Sequence, residues 1–214
     1  MMQLLDAIKQ RHSVKEYDSN VKIPREQLAE MLQLAQKAPS SINLQPWRFV
    51  VLDNPTDKAK IDGLVLANQT QLTTSSAIIL ALADLKHPQY ADKIFSQNVA
   101  EGMMTTELKD HYVALVNHWQ HIAGEQGVRA QAIMDTNLAV MQFLLIAKEY
   151  GYDTNPMGGF ERDKVLKALN IDASRYVPVM LVSIGKGVKA PHLSSRLALD
   201  YTVSWGDGLG FKSL

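Results

Sequence analysis

Pro39-Ser40-Ser41-Ile42-Asn43-Leu44-Gln45-Pro46-Trp47, running into Arg48-Phe49-Val50-Val51, is the stretch around which the chain is organised. It begins as a helix gives out and ends as a strand begins. Pro46 has no amide hydrogen and biases Gln45 away from helix. Ser40, Ser41 and Asn43 carry hydroxyl and amide groups that both donate and accept. A bent, polar segment between two core elements suits a ring rich in heteroatoms. It suits a plain helix-to-strand connection equally well. Two other segments bear on the choice.

Upstream, Pro24 opens a helix at its first turn, where a missing N–H costs little. Leu28, Met31, Leu32 and Ala35 follow the i, i+3, i+4, i+7 spacing, so one face is buried in a helix that runs to Ala38. Before it, Met2 to Gln10 suits a short helix with Leu4, Leu5 and Ile8 on one side. That helix delivers Arg11-His12-Ser13-Val14-Lys15-Glu16-Tyr17. A guanidinium fork and an ammonium this close suit a phosphate. The same residues also read as a solvated basic turn, balanced by Glu16 and Asp18.

Downstream, Trp47 to Leu52 reads as a strand, and Asn54-Pro55 starts a helix that includes Ile61, Leu64 and Val65. The polar patch Asn68-Gln69-Thr70-Gln71 precedes the apolar run Ala77 to Ala83. Such a run, bounded by polar residues, suits a strand buried on both faces. Asp84 to Tyr90 is a loop. Ala91 to about Leu108 has helical composition, weak periodicity and Gly102, and reads as a cover. His111, His118 and His121 fall in a helix with Glu107 and Glu125 nearby. A metal is not expected there: H-E-x-x-H is absent, and Val116 and Trp119 suit a packed helix. Val128 to Tyr150 is the strongest helix, apolar almost all round from Leu138 to Ala147 and stopped by Gly151.

The third polar segment is Asn155-Pro156-Met157-Gly158-Gly159-Phe160. Two glycines after a proline predict a tight turn whose amides no side chain shields, open to a flat ligand. A plain turn before a helix from Glu161 to Leu169 accounts for it too. Val177 to Ile184 is the last core strand, with Pro178 near its start. From Lys186 the composition changes to a loop and an apolar tail with Tyr201, Val203, Trp205, Leu209 and Phe211, which something must cover.

Bulk properties set outer limits. The 214 residues are 46% hydrophobic and 21% charged, as in a soluble globular protein. Lys plus Arg and Asp plus Glu are both 22, which argues against a general nucleic-acid or anionic-membrane binder. The absence of cysteine excludes disulfides, thiolate catalysis and zinc–cysteine sites, and suits a reducing compartment. The N-terminus does not read as a signal peptide, and no apolar run approaches the roughly 20 residues of a membrane span. A cytoplasmic location is expected.

Arg11 to Lys15, Pro39 to Trp47, Asn155 to Phe160 and Arg196 occur in the order and spacing of the nitroreductase family of flavoproteins. The chain resembles that family along essentially its whole length. The resemblance implies an α+β fold, a three-layer α-β-α sandwich, in an intertwined homodimer. Residues 1–214 would form one domain, with 186–214 an extension wrapping the partner subunit. FMN would sit at the subunit interface. By similarity, Arg11, His12, Ser13 and Lys15 would hold its phosphate, ribityl chain and pyrimidine side, with Arg196 a second phosphate-binding cation. Pro39, Ser40, Ser41 and Asn43 would reach it from the other subunit. Pro156, Met157, Gly158 and Gly159 would lie along the isoalloxazine, with an amide of Gly158 or Gly159 facing N5. Asn68 and Gln71 match a pair that touches the pyrimidine ring. Two positions depart from the pattern: Gln71 stands where lysine is frequent, and Ser194 where some members have lysine.

The activity so implied is hydride transfer from NADH or NADPH through flavin N5 to an electron-poor acceptor, a nitroaromatic or quinone, in a ping-pong cycle. The flavin would carry the chemistry, with no protein catalytic residue. Dehalogenation, flavin breakdown and enoyl reduction are alternatives on the same fold, and a flavin-storing or flavin-sensing module is an alternative of another class. No G-x-G-x-x-G fingerprint distinguishes NADH from NADPH.

Overall fold

In the computed structural model, which describes residues 3–212, the apolar runs form one antiparallel sheet. Its strands are β1 (Trp47–Leu52), β2 (Ala77–Asp84), β3 (Asp153–Met157) and β4 (Tyr176–Gly185), in the order β1-β2-β4-β3. All eight residues of β2 are buried. Strand alternation sends Ile79 and Ala81 to one face and Ile78, Leu80 and Leu82 to the other. Pro178 lies in β4, an inner strand, where a missing N–H would break the ladder. The register slips there, Ala81 facing Met180 and Leu82 facing Pro178, so a bulge absorbs the defect beyond the end of β3.

Helices cover both faces, which makes the α-β-α sandwich. The helices are α1 (Leu4–Gln10), α2 (Arg25–Ala35), α3 (Pro55–Ala59), α4 (Gln69–Thr74), α5 (Ala91–Ala100), α6 (Thr106–Glu149) and α7 (Arg162–Ala168). Leu28, Met31 and Ala35 of α2 and Val140, Phe143, Leu144 and Ala147 of α6 pack on the Ile79 face. Leu72, Val165 and Leu166 close the Ile78 face, with Ile61 and Val65 from the turns after α3. Each fully buried Leu, Ile or Phe contributes about 1.5–3 kcal/mol.

Several boundaries differ from those expected. The first helix starts at Leu4, and Met2 lies outside the described residues. Only Ala7 of α1 is buried; Leu4, Leu5 and Ile8 are exposed on this chain. The second helix stops at Ala35, and the one at Asn54-Pro55 stops at Ala59 and continues as turns. Its Asn54 side chain accepts from the Asp57 amide as an N-cap. The region from Ala91 is α5, a turn through Gly102, and then α6, whose cap is Thr105. The separately expected histidine helix and the helix from Val128 are one run, interrupted where Gly124 takes φ 60 and ψ −176. By length and composition α6 would suffice to cross a bilayer, contrary to expectation. Its Ala132, Ala139, Phe143 and Ala147 are buried in the fold.

Candidate functional site

The segment after α1 alternates. Val14 and Tyr17 are buried, whereas Ser13 and Lys15 are exposed, so the two polar residues share a side. The segment is sewn to β3 by the Val14 amide, which donates to the Thr154 carbonyl at 3.1 Å. Tyr17 locks its far end: its hydroxyl donates to the Val14 carbonyl at 2.8 Å, and the Ser183 hydroxyl lies at 2.8 Å. Burial pushes the Tyr17 phenol well above its usual range, so it stays neutral. A side chain at Gly185 would run into the Tyr17 ring at 3.0 Å, so glycine permits the seam.

Ser13 and Lys15 thereby reach the wall of a cavity of about 390 Å³, which Ala67, Thr70 and Gln71 close from the start of α4. Lys189, Pro191 and His192 add a wall from the start of the tail. Lys189 pairs with Glu16, whereas Lys15 has no carboxylate partner among the described residues. An uncommitted ammonium in such a cavity suits an anionic group.

The Asn68–Gln71 pair connects this cavity to the glycines. Gln71 Nε2 donates to Asn68 Oδ1 at 3.1 Å, and Asn68 Nδ2 donates to the Gly159 carbonyl at 3.1 Å. The chain before those glycines is not the tight turn expected, because Asn155, Pro156 and Met157 belong to β3. Proline is tolerated on this edge strand: Thr154, two residues before Pro156, turns its backbone outward to the Ser13 segment, and Pro156 faces the same way. Past Met157 the ladder ends. Gly158 and Gly159 are exposed, and neither amide donates to another described residue. A side chain at Gly158 would meet nothing within 4 Å, whereas one at Gly159 would touch the Asn68 amide at 3.5 Å, so the space is open at Gly158 and bordered by Asn68 at Gly159.

Pro39 and its followers lie elsewhere. Pro39 lines a different, apolar cavity of about 720 Å³ with Leu4, Leu34, Leu138 and Met141. Residues 41–43 form a tight turn in which Ile42 has φ 50 and Asn43 φ 55, and Gln45 follows at φ 47. Left-handed backbone is a real outlier for a β-branched residue such as Ile42, and each such residue costs on the order of 1–3 kcal/mol. Hydrogen bonds hold the turn: the Ser41 amide donates to the buried Asp135 carboxylate at 2.9 Å, and the Gln45 amide donates to Ser40 Oγ at 3.0 Å.

Arg11 and His12 are half-buried at the end of α1 and do not line the Lys15 cavity. Arg196 is exposed and, among the described residues, bonds only within the tail, to Ser194 and Ser195. One chain thus gathers Ser13, Lys15, Asn68, Gln71, Gly158 and Gly159, and leaves Pro39 to Asn43 and Arg196 apart. His111, His118 and His121 are exposed, and no cluster of metal-ligating side chains occurs among the described residues.

A family model described as the nitroreductase family matches residues 8–186. The chain belongs to the nitroreductase family. Arg196 and most of the tail lie outside the matched residues. The protein YdgI of Bacillus subtilis, provisionally named an NAD(P)H nitroreductase, is 42% identical over 202 residues, 94% of this chain and 96% of its own. A CLA biosynthesis enone reductase of Lactiplantibacillus plantarum is 36% identical over 90% of this chain and 89% of its own. Among solved structures, a provisionally named nitroreductase of Exiguobacterium sibiricum in complex with FMN superposes with a TM-score of 0.93 at 38% identity, covering 96% of this chain and 98% of that one. As a family member the protein is an oxidoreductase.

This nitroreductase-family chain also holds polar residues that the motifs do not reveal. Asp84, at the end of β2, is fully buried. Arg175 grips it with two bonds of 2.7 and 2.9 Å, and Arg48 NH2 lies 3.0 Å from it. Burial would raise the Asp84 carboxyl, but the Arg175 bonds, the Lys86 amide and the Arg48 charge outweigh it and hold the group below the usual range. The one signal in the sequence was a lone acid closing an apolar run.

Proposed function

We propose that the protein is an FMN-dependent NAD(P)H oxidoreductase, a homodimer whose two flavin sites each draw on both chains, reducing electron-poor acceptors such as nitroaromatics or quinones in the cytoplasm. The observation that carries this reading is the adjacency of three features on one chain. These are a cavity with the uncommitted Lys15, the Gln71–Asn68–Gly159 hydrogen-bond chain along its edge, and two unclaimed amides at Gly158 and Gly159.

That donor set fits FMN: an ammonium and a hydroxyl for an anion, amide side chains for a heterocycle edge, and open backbone N–H groups for a ring atom that needs a donor. When bound, FMN supplies a ring that takes two electrons from NADH or NADPH and passes them on. Lys15 and Ser13 would bind and orient the group. Asn68 and Gln71 would fix the pyrimidine edge, and Pro156 and Met157 would hold the two glycines against the sheet. Donor and acceptor would take turns on one open face, giving ping-pong kinetics, and water could protonate the product.

The remaining assigned residues need a second chain. Leu4, Leu5 and Ile8 of α1, Leu34 of α2, and Met134, Leu138 and Met141 of α6 are all exposed apolar residues, several lining the cavity that holds Pro39. Together they favour a partner copy on this face, which would bring Pro39, Ser40, Ser41 and Asn43 to the partner's FMN. The tail, with Leu193 82%, Trp205 87% and Leu209 90% exposed, would wrap that partner and carry Arg196 to it.

An enone acceptor is the second reading, favoured by the 36% identity to the enone reductase. An absorption spectrum of the purified protein, taken anaerobically before and after NADH and NADPH, tests the first step. A flavin spectrum bleached by either donor and restored by a quinone, a nitroaromatic or a conjugated enone is expected, and the restoring acceptor decides between the readings. A colourless protein that FMN does not turn yellow would overturn the proposal. A yellow one bleached only by dithionite would make it a flavin-binding module.

A further inference from the structure

We infer that Arg48 is a positioning residue: acting from the buried Asp84, it sets the conformation of the strained 40–45 turn and so the side of the flavin site built from Ser40, Ser41 and Asn43. The link to flavin rests on the function proposed above. The control over the turn rests on geometry alone.

Arg48 is the second residue of β1 and points back over the turn before that strand. Its NH1 donates to the Gln45 carbonyl at 2.9 Å and to the Trp47 carbonyl at 2.7 Å. The Pro46 carbonyl between them accepts from the Asp84 amide at 2.9 Å. Three consecutive carbonyls are thus fixed to the Arg48–Asp84 unit. The guanidinium is held in place by the Asp84 carboxylate and by the Tyr90 ring, whose centroid is 4.9 Å away. Tyr90 is oriented by Arg175, which donates to its hydroxyl at 2.8 Å.

From Gln45 the constraint passes on. The Gln45 amide donates to Ser40 Oγ, and Gln45 Nε2 donates to Asn43 Oδ1 at 3.2 Å and to the Asn43 carbonyl at 3.3 Å. Gln45 is left-handed at φ 47, a conformation that persists only when neighbours over-determine it. Arg48 on its carbonyl and Ser40 on its amide do so. Lysine could not replace the fork, because one ammonium cannot match the planar array that meets two carbonyls and a carboxylate together.

The two arginines on Asp84 have separable roles. Arg175 alone gives Asp84 a two-bonded partner, so removing Arg48 leaves no unpaired buried charge. Removing Arg175 leaves Asp84 paired to Arg48 and removes no hydrogen bond to the turn, whose Gln45 and Trp47 carbonyls Arg48 still holds. Arg48→Met should therefore speed amide hydrogen exchange at Ser41, Leu44 and Gln45 at least tenfold, with the β2 and β4 amides unchanged. It should also raise the FMN Kd by about ten- to a hundredfold, the loss expected for charge-assisted hydrogen bonds. Arg175→Met should lower the melting temperature of the flavin-free protein at least as much, with exchange in 40–45 and the FMN Kd near wild type. Arg48→Lys keeps the charge at Asp84 and should fall between wild type and Arg48→Met in both measurements; it serves if Arg48→Met does not fold.

Unchanged exchange in 40–45 would overturn the inference, as would an equal effect of Arg175→Met there. Faster exchange with an unaltered FMN Kd would overturn the link to the site. If wild-type protein binds no FMN, the proposed function fails on that measurement, while the exchange result still decides whether Arg48 controls the turn.

Discussion

Lys15 and Gln71 line one cavity and bring different charge to it. Gln71 is buried and spends a hydrogen on Asn68, so it orients its neighbour and adds no charge. A lysine there could still donate to Asn68 Oδ1 and would add a positive charge at the ring edge assigned to this pair. Gln71→Lys should raise the midpoint potential of bound FMN by on the order of 30 mV, the equivalent of about 1.4 kcal/mol for a two-electron couple. Gln71→Glu should lower it. Potentials measured by dye equilibration decide the matter, and equal values in all three proteins would place residue 71 away from the ring. Which residue types occupy these positions was legible in the sequence, because Lys15, Asn68 and Gln71 sit in short polar segments between apolar ones. Their hydrogen-bond order was not. That Asn68 donates to Gly159, ninety-one positions away, follows from packing that no local pattern encodes.

At the scale of elements, β2 was legible because an unbroken apolar run bounded by polar residues leaves little choice, and β1 was read over its full length, Trp47 to Leu52, although Arg48 interrupts its apolar residues. The β3 segment was misjudged as a turn: proline and two glycines outweigh the local pattern, yet its pairing with β4 makes Asn155 to Met157 an edge strand. The loop expected from Asp84 to Tyr90 hid a second fact of this kind. The turn after β2 buries His87 completely, with Trp119 of α6 6.2 Å from its ring. His87 Nδ1 lies 2.8 Å from the Asp84 carbonyl, so Nδ1 carries the proton and Nε2 is left buried without a partner among the described residues. Burial holds this imidazole below its ordinary value, against the opposing pull of the Asp84 carbonyl. Below about pH 6.5 the unfolded chain accepts a proton that the native ring refuses. Stability from this group is therefore complete above pH 6.5 and is lost as the pH falls toward the native value. Between pH 6.5 and 5, wild-type stability should decline by up to about 1.4 kcal/mol per pH unit. His87→Asn should be less stable at pH 8 but flatter over that interval. Urea midpoints at pH 8, 6.5, 5.5 and 5 measure both, and parallel curves would remove His87 as the cause. Asp84, held low, adds its own loss only below about pH 3.8.

For the whole molecule, the decisive matter is which surfaces this chain leaves uncovered. The face of α1, α2 and α6 around Pro39 is apolar although it belongs to no interior of its own chain, and sequence periodicity cannot separate a core face from a subunit face. That ambiguity is why the side of the first helix that carries Leu4, Leu5 and Ile8, apolar in sequence, is exposed on a single chain. It also explains the surplus of apolar residues on α6, with Met134, Leu138 and Met141 on the side away from the sheet. If a second copy covers this face, Leu138→Glu combined with Met141→Glu would bury like charges across a two-fold axis, where an unpaired charge costs several kcal/mol. Dimer dissociation should then strengthen at least a hundredfold in sedimentation equilibrium, while the monomer keeps its helical circular dichroism, because neither side chain belongs to the sheet-facing core. The same variant tests whether flavin is shared. The turn from Pro39 to Asn43 lies beside this face and away from Lys15, so a monomer would hold only half of each proposed site. It should lose FMN on gel filtration and regain it only near the concentration at which dimers re-form. FMN retained by the monomer would confine the site to Ser13, Lys15, Asn68, Gln71 and the two glycines of one chain, leaving the strained turn a role in assembly alone. A variant that stays dimeric would instead move the partner surface to the tail.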